Sequence, residues 1–114
     1  MIDEKLKNDI VNWSIEVFPD LTEEKQTLKL QEEVFELENA TTEEEKMCEM
    51  ADVFIVAIIL AIRFNSSLGK TVSTLASLFD IQEYVEKKMI KNKARVWKKV
   101  SNGTYHHEGS EEDE

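Results

Sequence analysis

The chain has 114 residues, 41% of them hydrophobic, with one proline, three glycines, one cysteine and a formal charge of -10 at pH 7. That length builds a single domain with a core of its own, the scarcity of Gly and Pro beside abundant Glu, Lys, Leu, Ile and Ala points to an all-α antiparallel bundle of four to five helices, and the acidic balance argues against a nucleic-acid backbone as partner. The lone Cys48 forms no internal disulfide and the N-terminus MIDEKLKNDI lacks the apolar stretch of a signal peptide, so the expected location is the reducing cytoplasm.

The first helix is expected from Asp3 to about Val17, with Trp13 and Phe18 its large apolar residues, and Pro19 forbids its continuation. A second begins at Thr22, an N-cap residue followed by Glu23 and Glu24 at the positive end of the helix dipole, and runs to about Asn39 with Leu30, Val34 and Leu37 as its apolar stripe. Thr42 and Glu45 have capping-box spacing and open a third helix that reaches about Phe64. Within it, Val53 to Ile62 is a run of ten apolar residues, far short of the roughly 20 that span a bilayer, so a buried central helix and no membrane partner are expected. A helix apolar on every side needs cover on every side, and the expectation is a homo-oligomer in which this helix packs on its symmetry mate, most economically through a C₂ interface.

After the breaker NSSLG, residues 70–98 contain no Gly or Pro and read as one long helix or two short ones meeting near Asp80; the segment SSLGKTVSTLAS has no assigned role. The expected domain is 1–99. Residues 100–114, Val100 followed by SNGTYHHEGSEEDE, read as an acidic, flexible tail too polar to order itself, with His106 and His107 solvated.

Charge is segregated along the chain. Glu32 to Asp52 holds nine acidic residues and one basic, Lys46, whereas Lys87 to Lys99 holds seven basic residues and no acid. Glu33 and Glu36 lie about 60° apart on a helical wheel, at the edge of the apolar stripe. Glu49 and Asp52 repeat the i, i+3 spacing on the next helix, where Asp52 abuts the apolar run. Two such pairs on antiparallel neighbours face each other across a groove, and burying unpaired like charge costs several kcal/mol per ion, so a counter-charge is required. Mg²⁺, with Mn²⁺ as a substitute, suits an all-oxygen donor set completed by water and phosphate.

The pattern is E-x-x-E at 33–36, twelve residues, then E-x-x-D at 49–52, within KLQEEVFEL and EMADVF and followed by KMIKNKARVW from Lys88 to Trp97. In these three motifs, in this order, the sequence resembles the MazG-like branch of the all-α nucleoside triphosphate pyrophosphohydrolases. The resemblance implies Mg²⁺-dependent hydrolysis of (deoxy)nucleoside triphosphates to monophosphate and pyrophosphate, with Glu33, Glu36, Glu49 and Asp52 as metal ligands. It implies that Glu33 or Glu32 orients the attacking water, that Lys88, Asn92 and Arg95, spaced on one helix face with Lys91 beside them, hold phosphate oxygens, and that the oligomer is a homodimer or a dimer of dimers. Lys29, one turn before Glu33, either pairs with that carboxylate or reaches a phosphate, and Trp13 either joins the core or stacks on the base. The alternatives are a non-catalytic helical module whose carboxylate groove binds a basic partner, and a pyrophosphohydrolase of another substrate such as phosphoribosyl-ATP.

Overall fold

The computed structural model describes residues 1–109. Five α-helices run as α1 (Glu4–Val17), α2 (Glu23–Glu38), α3 (Glu43–Arg63), α4 (Ser67–Thr74) and α5 (Gln82–Ala94), with a 3₁₀ turn at Leu75–Leu78 and a final two-stranded hairpin of β1 (Trp97–Lys99) and β2 (Tyr105–His107). The fold is thus an all-α bundle with one small hairpin.

The helix ends follow from their caps. Asp3, Thr22, Thr42 and Ser66 each occupy an N-cap, and each side-chain oxygen accepts from the backbone N–H three residues on, which satisfies one donor that the helix leaves open. At the start of α3 the reciprocal arm of the capping box is shifted by one residue: Glu45 accepts from the N–H of Thr41 at 3.2 Å rather than from that of Thr42. Phe18 is the C-cap of α1, immediately before Pro19. The α4–α5 region resolves as two helices, because the chain leaves helical geometry at Phe79 and re-enters it at Gln82.

The core is centred on α3, against which α1, α2, α4 and α5 all pack. One cluster joins Leu6, Ile10 and Trp13 of α1 to Phe54, Ile55 and Ile58 of α3 and to Val85 and Met89 of α5; another joins Leu30 of α2 to Val53, Val56, Ala57 and Leu60. At the α4 crossing a Cβ on Gly69 would lie 2.6 Å from the Ala61 nitrogen and 2.9 Å from the Ala57 carbonyl oxygen, so only glycine lets α4 approach so closely. This gives the segment SSLGKTVSTLAS a packing role. Arg63, at the C-terminus of α3, reaches back across the bundle and donates to the carbonyls of Ser14 at 3.0 Å and Phe18 at 2.8 Å, closing the end of α1.

Three expectations are corrected. Every residue from Val53 to Leu60 is buried within the single chain, because the folded-back α4 supplies the side that a count of neighbouring helices left open; what is corrected is the poor cover expected within one chain, and the homo-oligomer stays an expectation, with Ile62 at the end of the run 46% exposed. Val34 is not in the stripe of α2; it is 39% exposed, and the face turned to α3 carries Gln26, Leu30 and Glu33, with Leu37 half-buried beside them. The third correction concerns the chain after Lys99. Residues 100–107 are not a loose tail but close the hairpin, with Thr104 1% and His106 3% exposed, because strand pairing and a polar network with α2 satisfy groups that composition counted as hydrophilic. Ser110–Glu114, the acidic end of the expected tail, lie outside the described residues. No helix among the described residues is long and apolar enough to cross a membrane.

Candidate metal centre

A cavity of about 240 Å³ opens between α2, α3, α5 and the hairpin. Helical periodicity sets its acidic wall: Glu33 occupies the core-facing position one turn after Leu30, Glu36 follows at i+3, and Glu49 and Asp52 stand at the same spacing on antiparallel α3. Carboxylate oxygens of Glu33, Glu36 and Glu49 all lie within 4.8 Å of one another.

The electrostatics of this end are under-compensated. Glu33 is 6% exposed; Lys29 reaches one of its oxygens at 3.4 Å, while the other, Oε2, is buried with no hydrogen-bond partner, as is Oε2 of Glu49. Burial, then the nearby charge of Asp52, push Glu33 up to about 9, and the pull of Lys29 does not offset them. Burial first, then Asp52 and Glu36, likewise raise Glu49. Asp52 is also raised by burial against the opposing effect of Lys88, whose Nζ stands 3.3 Å from its Oδ2. Four carboxyl groups therefore share two lysines, and two buried oxygens are left over. Convergent hard oxygen donors with orphaned atoms fit a divalent cation of the Mg²⁺ or Mn²⁺ type.

The basic wall comes from α5. Lys88, Asn92 and Arg95 line the cavity, Arg95 being held by its own hydrogen bond to the Asn92 side-chain oxygen at 3.2 Å, whereas Lys91 is exposed and does not line it. Lys29 takes the carboxylate-pairing role, also lying 3.7 Å from Glu32. Trp13 meets the core expectation: it is buried and packs edge-on against Phe18 and Trp97 at 5.2 and 5.7 Å, and it also forms part of the cavity wall.

Glu32 is not brought to the carboxylate cluster. One residue from Glu33, it turns about 100° around α2 and meets the hairpin: the Asn102 amide donates to it at 2.7 Å, and the Thr104 hydroxyl and His106 Nε2 lie 3.2 and 2.9 Å away. The water-orienting role considered for Glu32 does not fit this placement. Sequence reasoning missed Tyr105, His106 and His107 as cavity residues; the alternation T-Y-H-H after N-G is a hairpin signal that could have placed them.

With this geometry in place, the chain can be compared with known proteins. It is similar to a MazG-like pyrophosphohydrolase. One solved structure it matches is that of the cyanophage S-2L MazG-like pyrophosphohydrolase bound to dGDP and three catalytic Mn²⁺ ions per active site, with 26% identity, 90% of this chain and 93% of that chain covered, and a TM-score of 0.48. No family model and no curated protein matches the chain.

Proposed function

We propose that the chain is a divalent-cation-dependent nucleotide pyrophosphohydrolase that cleaves (deoxy)nucleoside triphosphates to monophosphate and pyrophosphate. The observation that carries this reading is the convergence of Glu33, Glu36 and Glu49 within 4.8 Å, opposite Lys88, Asn92 and Arg95 in one cavity. Glu33, Glu36, Glu49 and Asp52 would hold the cation, Mg²⁺ or Mn²⁺. When bound, it supplies positive charge to the phosphate oxygens and acidifies a water molecule.

The chain's own residues do the rest. Arg95 and Lys88 offer cationic donors to the phosphate oxygens, and Asn92 positions the Arg95 guanidinium through its side-chain oxygen. Lys88 is held by Asp52 until a ligand competes for it. A water attacking phosphorus at the α–β anhydride forms the new P–O bond, pyrophosphate departs with the electrons of the broken one, and a carboxylate takes the water's proton. We assign that task to Glu33 in its ionised form, because its buried Oε2 has no hydrogen-bond partner and is free to accept. Ile55 and Ile59 of α3, one and two turns beyond Asp52, contribute apolar lining to the same cavity.

The test is pyrophosphate release from a panel of NTPs and dNTPs with Mg²⁺ or Mn²⁺. Release that falls in Glu36→Gln and Asp52→Asn supports the reading. Absence of release from every nucleotide, or release undiminished in both variants, overturns it.

A further inference from the structure

The hydrolase reading uses only one end of the cavity. Away from the carboxylates the wall is aromatic, with Trp13 and Phe18 from α1 and its cap facing Trp97, Tyr105 and His107 from the hairpin. In the hairpin register Trp97 pairs with His107 and Lys99 with Tyr105, so these side chains share one face of the ribbon. That face lies over Phe18, whose ring centroid is 5.4 Å from that of Trp97 and 4.4 Å from that of Tyr105. His107 stands edge-on to Trp97 at 6.0 Å.

Two features separate this cluster from ordinary core. Trp97, Tyr105 and His107 are only half-buried while lining the cavity, so ring surface remains open to a ligand. The hairpin is also fixed from both sides. Asp20 accepts from the Tyr105 hydroxyl at 2.6 Å and pairs with Lys99. On the opposite face Glu32 gathers Asn102, Thr104 and His106, while Lys25 donates to the Asn102 carbonyl at 3.1 Å beside Gly103, whose φ of +86° favours glycine. Both ends of the cavity are therefore tied to the same turn of α2, through Glu32 on one side and Glu33 on the other.

We propose that the C-terminal hairpin is the nucleoside-recognition wall of the site: Trp97, Tyr105 and His107 present the ring surface on which the substrate base stacks, and Glu32 is a positioning residue that fixes the hairpin against α2. This rests on the reading that the carboxylate end takes the phosphates. Aromatic rings bind any base through its π-face, and removing one such ring lowers affinity by about tenfold.

The chain's two tryptophans, Trp13 and Trp97, both line this cavity, so intrinsic fluorescence reports its occupancy. The experiment titrates the full chain, with Mg²⁺ present, with the four deoxynucleoside 5′-monophosphates and with 2-deoxyribose 5-phosphate, which has no base. Expected are tighter binding of at least one nucleotide than of the sugar phosphate, loss of that margin by about tenfold in Tyr105→Ala and His107→Ala, and its retention in Tyr105→Phe, which keeps the ring and loses the bond to Asp20. Glu32→Gln, which keeps the acceptor but not the charge, should shrink the margin less than either alanine variant. Circular dichroism confirms that each variant is folded; if an alanine variant is not, Tyr105→Leu, of similar bulk without the ring, takes its place. Equal binding with and without a base, or equal loss of both in the variants, overturns the proposal. Base-dependent binding without pyrophosphate release would remove the hydrolase reading and leave the hairpin wall standing, whereas release with hairpin variants that bind nucleotide normally would remove the wall alone.

Discussion

Glu32 and Glu33 are neighbours in sequence on one helix and stand in opposite electrostatic conditions. Glu32 is enclosed by partners from the hairpin and by Lys29. Glu33 has one lysine against the charge of Asp52 and Glu36, and one of its oxygens meets nothing. A satisfied polar network is a structural fastening, whereas a buried group left short of partners is held ready for something that arrives. The difference divides the cavity into a fastened end and a waiting end, and it turns on the roughly 100° that one residue adds around a helix.

The largest test of that division is catalytic. Glu36→Gln and Asp52→Asn should each reduce pyrophosphate release by about a hundredfold or more, since loss of a group that merely hydrogen-bonds to a metal ligand costs up to about that much, while leaving the fold intact by circular dichroism.

A pH series sharpens the waiting end. Glu33 rises from 4.5 to about 9 on folding, so between those values the metal-free native state binds more protons than the unfolded chain, and stability should fall as pH increases. The contribution is fully present below about 4.5 and lost as pH passes through about 9, with a slope of at most about 1.4 kcal/mol per pH unit. Denaturant midpoints with EDTA should show that slope, and Glu33→Gln should flatten it. Added Mg²⁺ or Mn²⁺ should bind more tightly as pH rises, because the ligands must be deprotonated.

At the fastened end, Glu32→Ala should destabilise the chain by about 1–3 kcal/mol in chemical denaturation, because it removes the charged group shared by the Asn102 amide, the Thr104 hydroxyl and His106. Unlike the metal-ligand variants, it should raise KM more than it lowers kcat. Thr104→Val is expected to be smallest, about 1 kcal/mol, as it removes one hydroxyl at constant volume. A Glu32 variant that abolished kcat with KM unchanged would reverse the assignment of the two glutamates.

Much of the bundle was legible without coordinates. Caps at Asp3, Thr22 and Thr42 and the stop at Pro19 are local chemistry, encoded within a turn or two of each helix end. The carboxylate pairs were legible for the same reason, since i, i+3 spacing fixes a face wherever the helix goes. What stayed hidden depended on distant neighbours. Val34 and Glu33 are adjacent, and only the placement of α3 decides which of the two is buried. Likewise His106 reads as a tail residue until Glu32, 74 positions away, supplies its partner.

The sequence by itself determined the helices, their ends and the four acids at helical spacing, because hydrogen bonding within a turn and side-chain periodicity need no partner segment. Only the tertiary structure decided that α4 folds back to cover α3 through Gly69, that the hairpin closes the cavity, and that Glu32 and Glu33 part company. Those outcomes rest on close approach and charge compensation between segments far apart in the chain, and such energies exist only once the segments meet.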